Sequence, residues 1–122
     1  MRELMQQLIA MSHKYGGDGR YVLAGGGNTS VKENGVLYVK ASGTRLSSIE
    51  ETGFVRMSMA KIDAMFEKEY PKEDKQRESE ALADMMDARL ARETNRPSVE
   101  CMLHGLFPQT FVLHLHPALV NG

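Results

Sequence analysis

The chain of 122 residues carries 15 Lys and Arg against 16 Asp and Glu, a formal charge of −1, so no basic footprint marks nucleic acid as a partner. Hydrophobic residues make up 42% and charged ones 25%, the ordinary balance of a soluble globular protein with one domain and a modest core. No apolar run nears the roughly 20 residues a membrane helix needs, and the first residues lack the apolar stretch of a secretion signal. The single cysteine, Cys101, excludes an internal disulfide and suits a reducing compartment, which points to the cytoplasm.

Leu4, Leu8, Met11 and Tyr15 recur at helical intervals, and Gly16-Gly17 supplies a stop, so residues 2–15 read as an amphipathic helix. His13 sits near its end and reads as a surface residue. Tyr21-Val-Leu-Ala24 reads as a short strand. Gly25-Gly-Gly-Asn-Thr-Ser-Val-Lys32 is a glycine-rich loop that turns into a strand. Asn34-Gly35, between Ser30-Val-Lys32 and Val36-Leu-Tyr-Val-Lys40, is a two-residue hairpin signal, because that pair tolerates the positive φ of a type I′ turn. Ala41-Ser-Gly-Thr44 forms a second small-residue loop at the hairpin's exit.

Phe54-Val-Arg-Met57 reads as another strand, and Ser58 caps a helix carrying Ile62, Met65 and Phe66 that ends before Pro71. The charged run 72–80 reads as a solvated loop or helix face, and Leu82, Met86 and Leu90 carry a helix to about residue 92. After Pro97, Ser98 caps a further helix with Val99, Met102, Leu103 and Leu106 inward, and Pro108 ends it. The nine methionines sit mostly at helical spacing and pack rather than bind a soft metal.

Thr110-Phe-Val-Leu-His-Leu-His-Pro117 reads as a buried strand. Side chains alternate along a strand, so His114 and His116 share one face, about 7 Å apart, while Phe111, Leu113 and Leu115 turn to a core. An isolated His-x-His is as readily one packed and one exposed histidine. Glu100, in the first turn of the preceding helix, adds a carboxylate; with two imidazoles it makes a first shell for zinc with a position left open to water. His104, four residues on, is either a supporting or a simply packed residue. The glycine loop lacks the Gly-Lys-Ser/Thr of a Walker loop and does not open a helix as a dinucleotide fingerprint does. Its amides, with Asn28 and a neighbouring hydroxyl, can form an anion nest, as can Ser42-Gly43-Thr44 and the helix start at Ser98. Each taken alone is as well explained by a plain turn or cap.

Together, Gly-Gly-Asn-Thr-Ser, Val-Lys-Ala-Ser-Gly-Thr, Pro-Ser-Val-Glu and His-Leu-His-Pro, in that order over residues 20–121, resemble the class II aldolase/adducin family. That family holds fuculose- and rhamnulose-phosphate aldolases and ribulose-phosphate 4-epimerases, and the wording is closest to its rhamnulose-1-phosphate aldolase-like members. The resemblance implies a three-layer α/β/α fold around a mostly antiparallel sheet. It implies phosphate binding by Asn28, Ser42, Gly43 and Ser98, with Val99 standing where the family has a second serine. Glu100 then corresponds to the acid/base, and His114 and His116 to two zinc ligands. A third histidine ligand and a protonating tyrosine lie downstream in the family, so residues 1–122 are expected to be an incomplete single domain, impaired or inactive on its own. The implied activity is a metal-dependent lyase, cleaving a ketose 1-phosphate to dihydroxyacetone phosphate and an aldehyde, in a homo-oligomer, often a tetramer. The rivals are a pentulose-phosphate 4-epimerase and a non-catalytic adducin-like domain.

Overall fold

The computed structural model describes residues 2–17, 27–98, 101–106 and 109–114. Helix α1 spans Arg2–Gly16, strand β1 Asn28–Glu33, strand β2 Val36–Lys40 and strand β3 Phe54–Ser58. Helices α2 (Met59–Glu67), α3 (Asp74–Asp87) and α4 (Cys101–Leu106) follow, then strand β4 (Phe111–His114). The strands form one antiparallel sheet in the order β3-β2-β1-β4. The expected strand at Tyr21–Ala24 lies outside the described residues.

Alternation along the strands explains the layering. Leu37, Val39, Val55 and Met57 turn to one face and pack with Ile62 and Met65 of α2, Met85 of α3 and Cys101 of α4. Val31, Phe54 and the half-buried Tyr38 and Phe111 turn to the other face, where Met5 and Leu8 of α1 cover them. The result is the three-layer α/β/α arrangement around an antiparallel sheet. No helix among the described residues is long and apolar enough to cross a membrane.

Local chemistry sets the boundaries. Asn34 (φ 53°) and Gly35 (φ 79°) both take the left-handed conformation that the tight β1–β2 hairpin demands. Ser58 ends β3 and caps α2, its hydroxyl accepting from the Lys61 amide. The charged run proves helical from Asp74, because both carboxylate oxygens of Glu73 accept first-turn amides, Lys75 at 3.2 Å and Gln76 at 2.7 Å.

Two expectations are corrected. Helix α3 ends at Asp87 rather than near 92, because residues 88–90 leave it to cover the outer edge of β3: Ser58 N donates to Ala88 O at 2.7 Å and Leu90 N to Arg56 O at 2.9 Å. Phe66 and Leu82 stay exposed, at 45% and 37%; α3 reaches the core through Met85 instead. His13 lies at the surface as expected, its Nε2 2.7 Å from the Ile49 carbonyl.

Candidate active site

Antiparallel pairing collects the ends of four strands. The first residue of β1 (Asn28), the last of β2 (Lys40), the first of β3 (Phe54) and the last of β4 (His114) all lie at one end of the sheet, with Asn28 in register with His114 and Lys40 with Phe54. The Gly25–Ser30 motif therefore delivers its asparagine directly into a strand, and Gly27, at φ 92°, makes the bend.

Beyond β2 the chain turns at Ala41-Ser-Gly-Thr44. Gly43, at φ 84°, occupies a conformation other residues rarely adopt, and Thr44 N closes the turn on Ala41 O at 3.3 Å. Among the described residues nothing stands within 4 Å of where a Cβ on Gly43 would sit, so they leave this face of the turn open. The segment 96–98 then runs antiparallel beside 40–42. Ser98 N donates to Lys40 O at 2.9 Å, Ser42 N to Arg96 O at 2.8 Å, and Ala41 bridges Pro97. Two sequence motifs more than 50 residues apart are thus held together by backbone hydrogen bonds. From there Cys101 N donates to Ser98 O at 3.0 Å and opens α4.

Of the residues marked in the sequence, Asn28, Ser42, Gly43 and Ser98 gather at this sheet end, with Ser42 and Gly43 exposed and Ser98 buried. Asn28 is only 5% exposed, and its Oδ1 has no hydrogen-bond partner among the described residues. A shielded carbonyl without a partner among the described residues is destabilising by about 1–3 kcal/mol, which makes Asn28 a candidate to hold a ligand group. A half turn of the amide exchanges Oδ1 for Nδ2 at that position, offering an acceptor to a sugar hydroxyl or a donor to a phosphate oxygen.

Lys40 was missed by sequence reasoning, which also did not foresee the contact between Ser30 and His104. Lys40 is buried at the end of β2 and its ammonium donates to the Thr44 carbonyl, so a cation braces the Ser42-Gly43 turn from within. Its signal was a lysine at a strand position followed at once by the hydroxyl loop. Ser30 and His104, both fully buried, hydrogen-bond at 2.7 Å and tie β1 to α4. The sequence had left His104 open between a supporting and a packed role.

For a metal, the sequence offers His114, His116 and Glu100. The backbone of His114 and the described neighbours of Glu100, Ser98 and Cys101, belong to the sheet end just built. Glu100, His116 and the His114 side chain lie outside what is described, and among the described residues no three His, Cys, Asp or Glu side chains gather as a metal cluster. Two imidazoles and a carboxylate form a donor set suited to zinc and to several other divalent ions.

The cavities among the described residues lie elsewhere. One of about 240 Å³ sits between α2 and α3 beside Lys61, Lys68 and Asp84, and one of about 460 Å³ is lined by Tyr38, Arg56, Arg92 and Glu93. Charged side chains in their walls pair with one another, Lys68 with Asp84 at 2.7 Å and Arg56 with Glu93 at 2.6 Å. Both therefore read as solvated surface grooves.

An antiparallel sheet between two helical layers, with these motifs at one end, is similar in fold to a class II aldolase domain. The chain belongs to this family: the model of the class II aldolase and adducin N-terminal domain matches residues 6–121. A solved N-terminal class II aldolase domain of a conserved protein from Thermoplasma acidophilum is similar, with 30% identity and a TM-score of 0.81, over 95% of this chain and 56% of that one. The uncharacterized oxidoreductase YuxG of Bacillus subtilis (strain 168) is 28% identical over 122 residues, which cover 93% of this chain and 17% of that protein. The chain therefore spans little more than half of the one relative and about a sixth of the other.

Proposed function

We propose that this protein is a metal-dependent aldehyde-lyase that cleaves a ketose 1-phosphate to dihydroxyacetone phosphate and an aldehyde, working as a homo-oligomer in the cytoplasm. The observation that carries the reading is the convergence of Asn28, Ser42-Gly43 and Ser98 on one sheet end, with the buried Asn28 carbonyl lacking a partner among the described residues.

In this reading Asn28, the Ser42 hydroxyl, the Gly43 amide and Ser98 hold the phosphate. Binding energy from that remote group keeps the ketone in place and offsets the entropy of orienting it. His114 and His116, with Glu100, would hold a divalent metal such as zinc, which when bound polarises the ketone and stabilises the negative charge left as the carbon–carbon bond breaks. Glu100 moves the proton to and from the carbon that bears that charge, a role whose removal costs about 10²- to 10⁴-fold in rate. The oxidoreductase name of the Bacillus subtilis relative does not transfer: this chain spans 17% of that protein, and its glycine loop runs into a strand rather than opening a helix over a dinucleotide.

The test is turnover of rhamnulose 1-phosphate, fuculose 1-phosphate and ribulose 5-phosphate by zinc-loaded protein, with dihydroxyacetone phosphate followed by a coupled assay. The expected result is metal-dependent release of dihydroxyacetone phosphate, lost on chelation, and lost in Glu100→Gln with substantial metal still bound. A change of configuration in ribulose 5-phosphate without cleavage would assign the epimerase instead. No turnover of any of the three, by protein extended through the downstream histidine and tyrosine, would leave the adducin-like, non-catalytic reading.

A further inference from the structure

Strand β1 carries two fully buried hydroxyls in succession, and each reaches a helix on its own side of the sheet. Thr29 lies 2.7 Å from Ser12 Oγ of α1, and since Ser12 already donates to the Leu8 carbonyl, Thr29 is the donor. Ser30 lies 2.7 Å from His104 Nδ1 of α4. The α4 side of the sheet is otherwise lined by Leu37, Val39, Val55 and Cys101. An apolar pair would serve stability there as well, so the polar pair contributes direction rather than cohesion.

We propose that the Ser30–His104 hydrogen bond is a positioning device that sets the gap between Asn28 and Ser98, and through it the affinity for the phosphate group. The proposal rests on the phosphate reading above. Ser30 is two residues from Asn28 on the same face of β1, while His104 lies on the helix that Cys101 N opens on Ser98 O. Apolar contact alone would let a helix of six residues slide or rotate slightly; a short bond with an angular preference holds it. On its other side α4 has no slack, because a Cβ on Gly105 would come within 2.8 Å of Ile62 Cγ2. Ser30 and His104 touch no reacting atom in this account and act only through Asn28 and Ser98.

The probe is inorganic phosphate, titrated against the protein as the cell makes it and followed by chemical-shift changes. Ser30→Ala and His104→Leu should each weaken phosphate binding about tenfold, the equivalent of about one hydrogen bond, with no further loss when combined. His104→Asn, whose amide stands where Nδ1 stood, should restore binding to within about twofold. Ser12→Ala removes the matching bond on the opposite face and should lower the melting temperature while leaving phosphate affinity unchanged. In turnover, the tether variants should raise KM for the sugar phosphate and leave kcat close to wild type. Equal weakening by Ser12→Ala, absence of rescue by asparagine, or wild-type affinity in Ser30→Ala each overturns the tether. Wild-type protein that ignores phosphate overturns the phosphate reading itself and the tether with it.

Discussion

Asn28 presents a conflict between stability and binding that a single substitution separates. The residue is 5% exposed, and its side-chain carbonyl is buried without a partner among the described residues. Such a group is destabilising by about 1–3 kcal/mol relative to an apolar one. Asn28→Val removes it and adds a few tenths of a kcal/mol of strand preference at the first position of β1. After discounting for imperfect packing of the new methyls, the variant should be more stable by about 1 kcal/mol, a rise in melting temperature of roughly 4 °C for a chain of this size. On the phosphate reading proposed above, the same change deletes a hydrogen bond to a charged ligand, worth about 1.5–3 kcal/mol, so phosphate affinity should fall by at least about tenfold. Calorimetry and a phosphate titration on one sample measure both. Asn28→Ala, which adds no volume, separates strain from desolvation. A valine variant that melts lower and binds phosphate like wild type would show that Asn28 serves the fold, and would refute the reasoning.

Three further outcomes follow from the packing and the charges. Gly16→Ala should destabilise by about 2 kcal/mol despite the gain in helix propensity of up to about 1 kcal/mol, because its Cβ would lie 2.3 Å from Leu46 Cβ and 2.9 Å from Leu46 C; a urea midpoint at or above wild type contradicts the close approach of α1 to residues 46–48. Asp84 is held below its ordinary 3.8 by hydrogen bonds from Lys68 and then Tyr70, while Lys68 is raised above its ordinary 10.5 by Asp84 and Glu80. The Asp84 contribution is therefore complete above about pH 4 and lost as acid passes its lower folded value, and that of Lys68 is complete below 10.5 and lost above it. Melting temperatures from about pH 2 to about pH 6 should show a shallower acid decline in Asp84→Asn. Burial pushes the Cys101 thiol up to about 12, so a disulfide reagent at about pH 8 should label it only at the rate of protein opening; fast stoichiometric labelling would contradict its burial.

How far the sequence reading held depends on the range of the signal. The Asn34-Gly35 hairpin, the Ser58 cap and the strands Val36–Lys40 and Phe54–Ser58 were legible because local backbone preference and period-two alternation decide them. The end of α3 was misread because Leu90 satisfies helical spacing, yet the open edge of β3 offers its backbone a better partner in Arg56 O. Helical spacing also overstated Phe66 and Leu82, since periodicity finds an apolar face without saying how much of it meets another element.

For the candidate site, residue type and order pointed to Asn28, Ser42, Gly43 and Ser98, whose motifs carried the family likeness. Only the tertiary structure brought Ser98 against Lys40, paired Ser30 with His104 across 74 residues, and left the Asn28 carbonyl without a partner among the described residues. Those contacts depend on sheet register and helix packing, which are set by burying two apolar faces at once. A linear pattern records which side chains are available, whereas the distances between them follow from how the layers close.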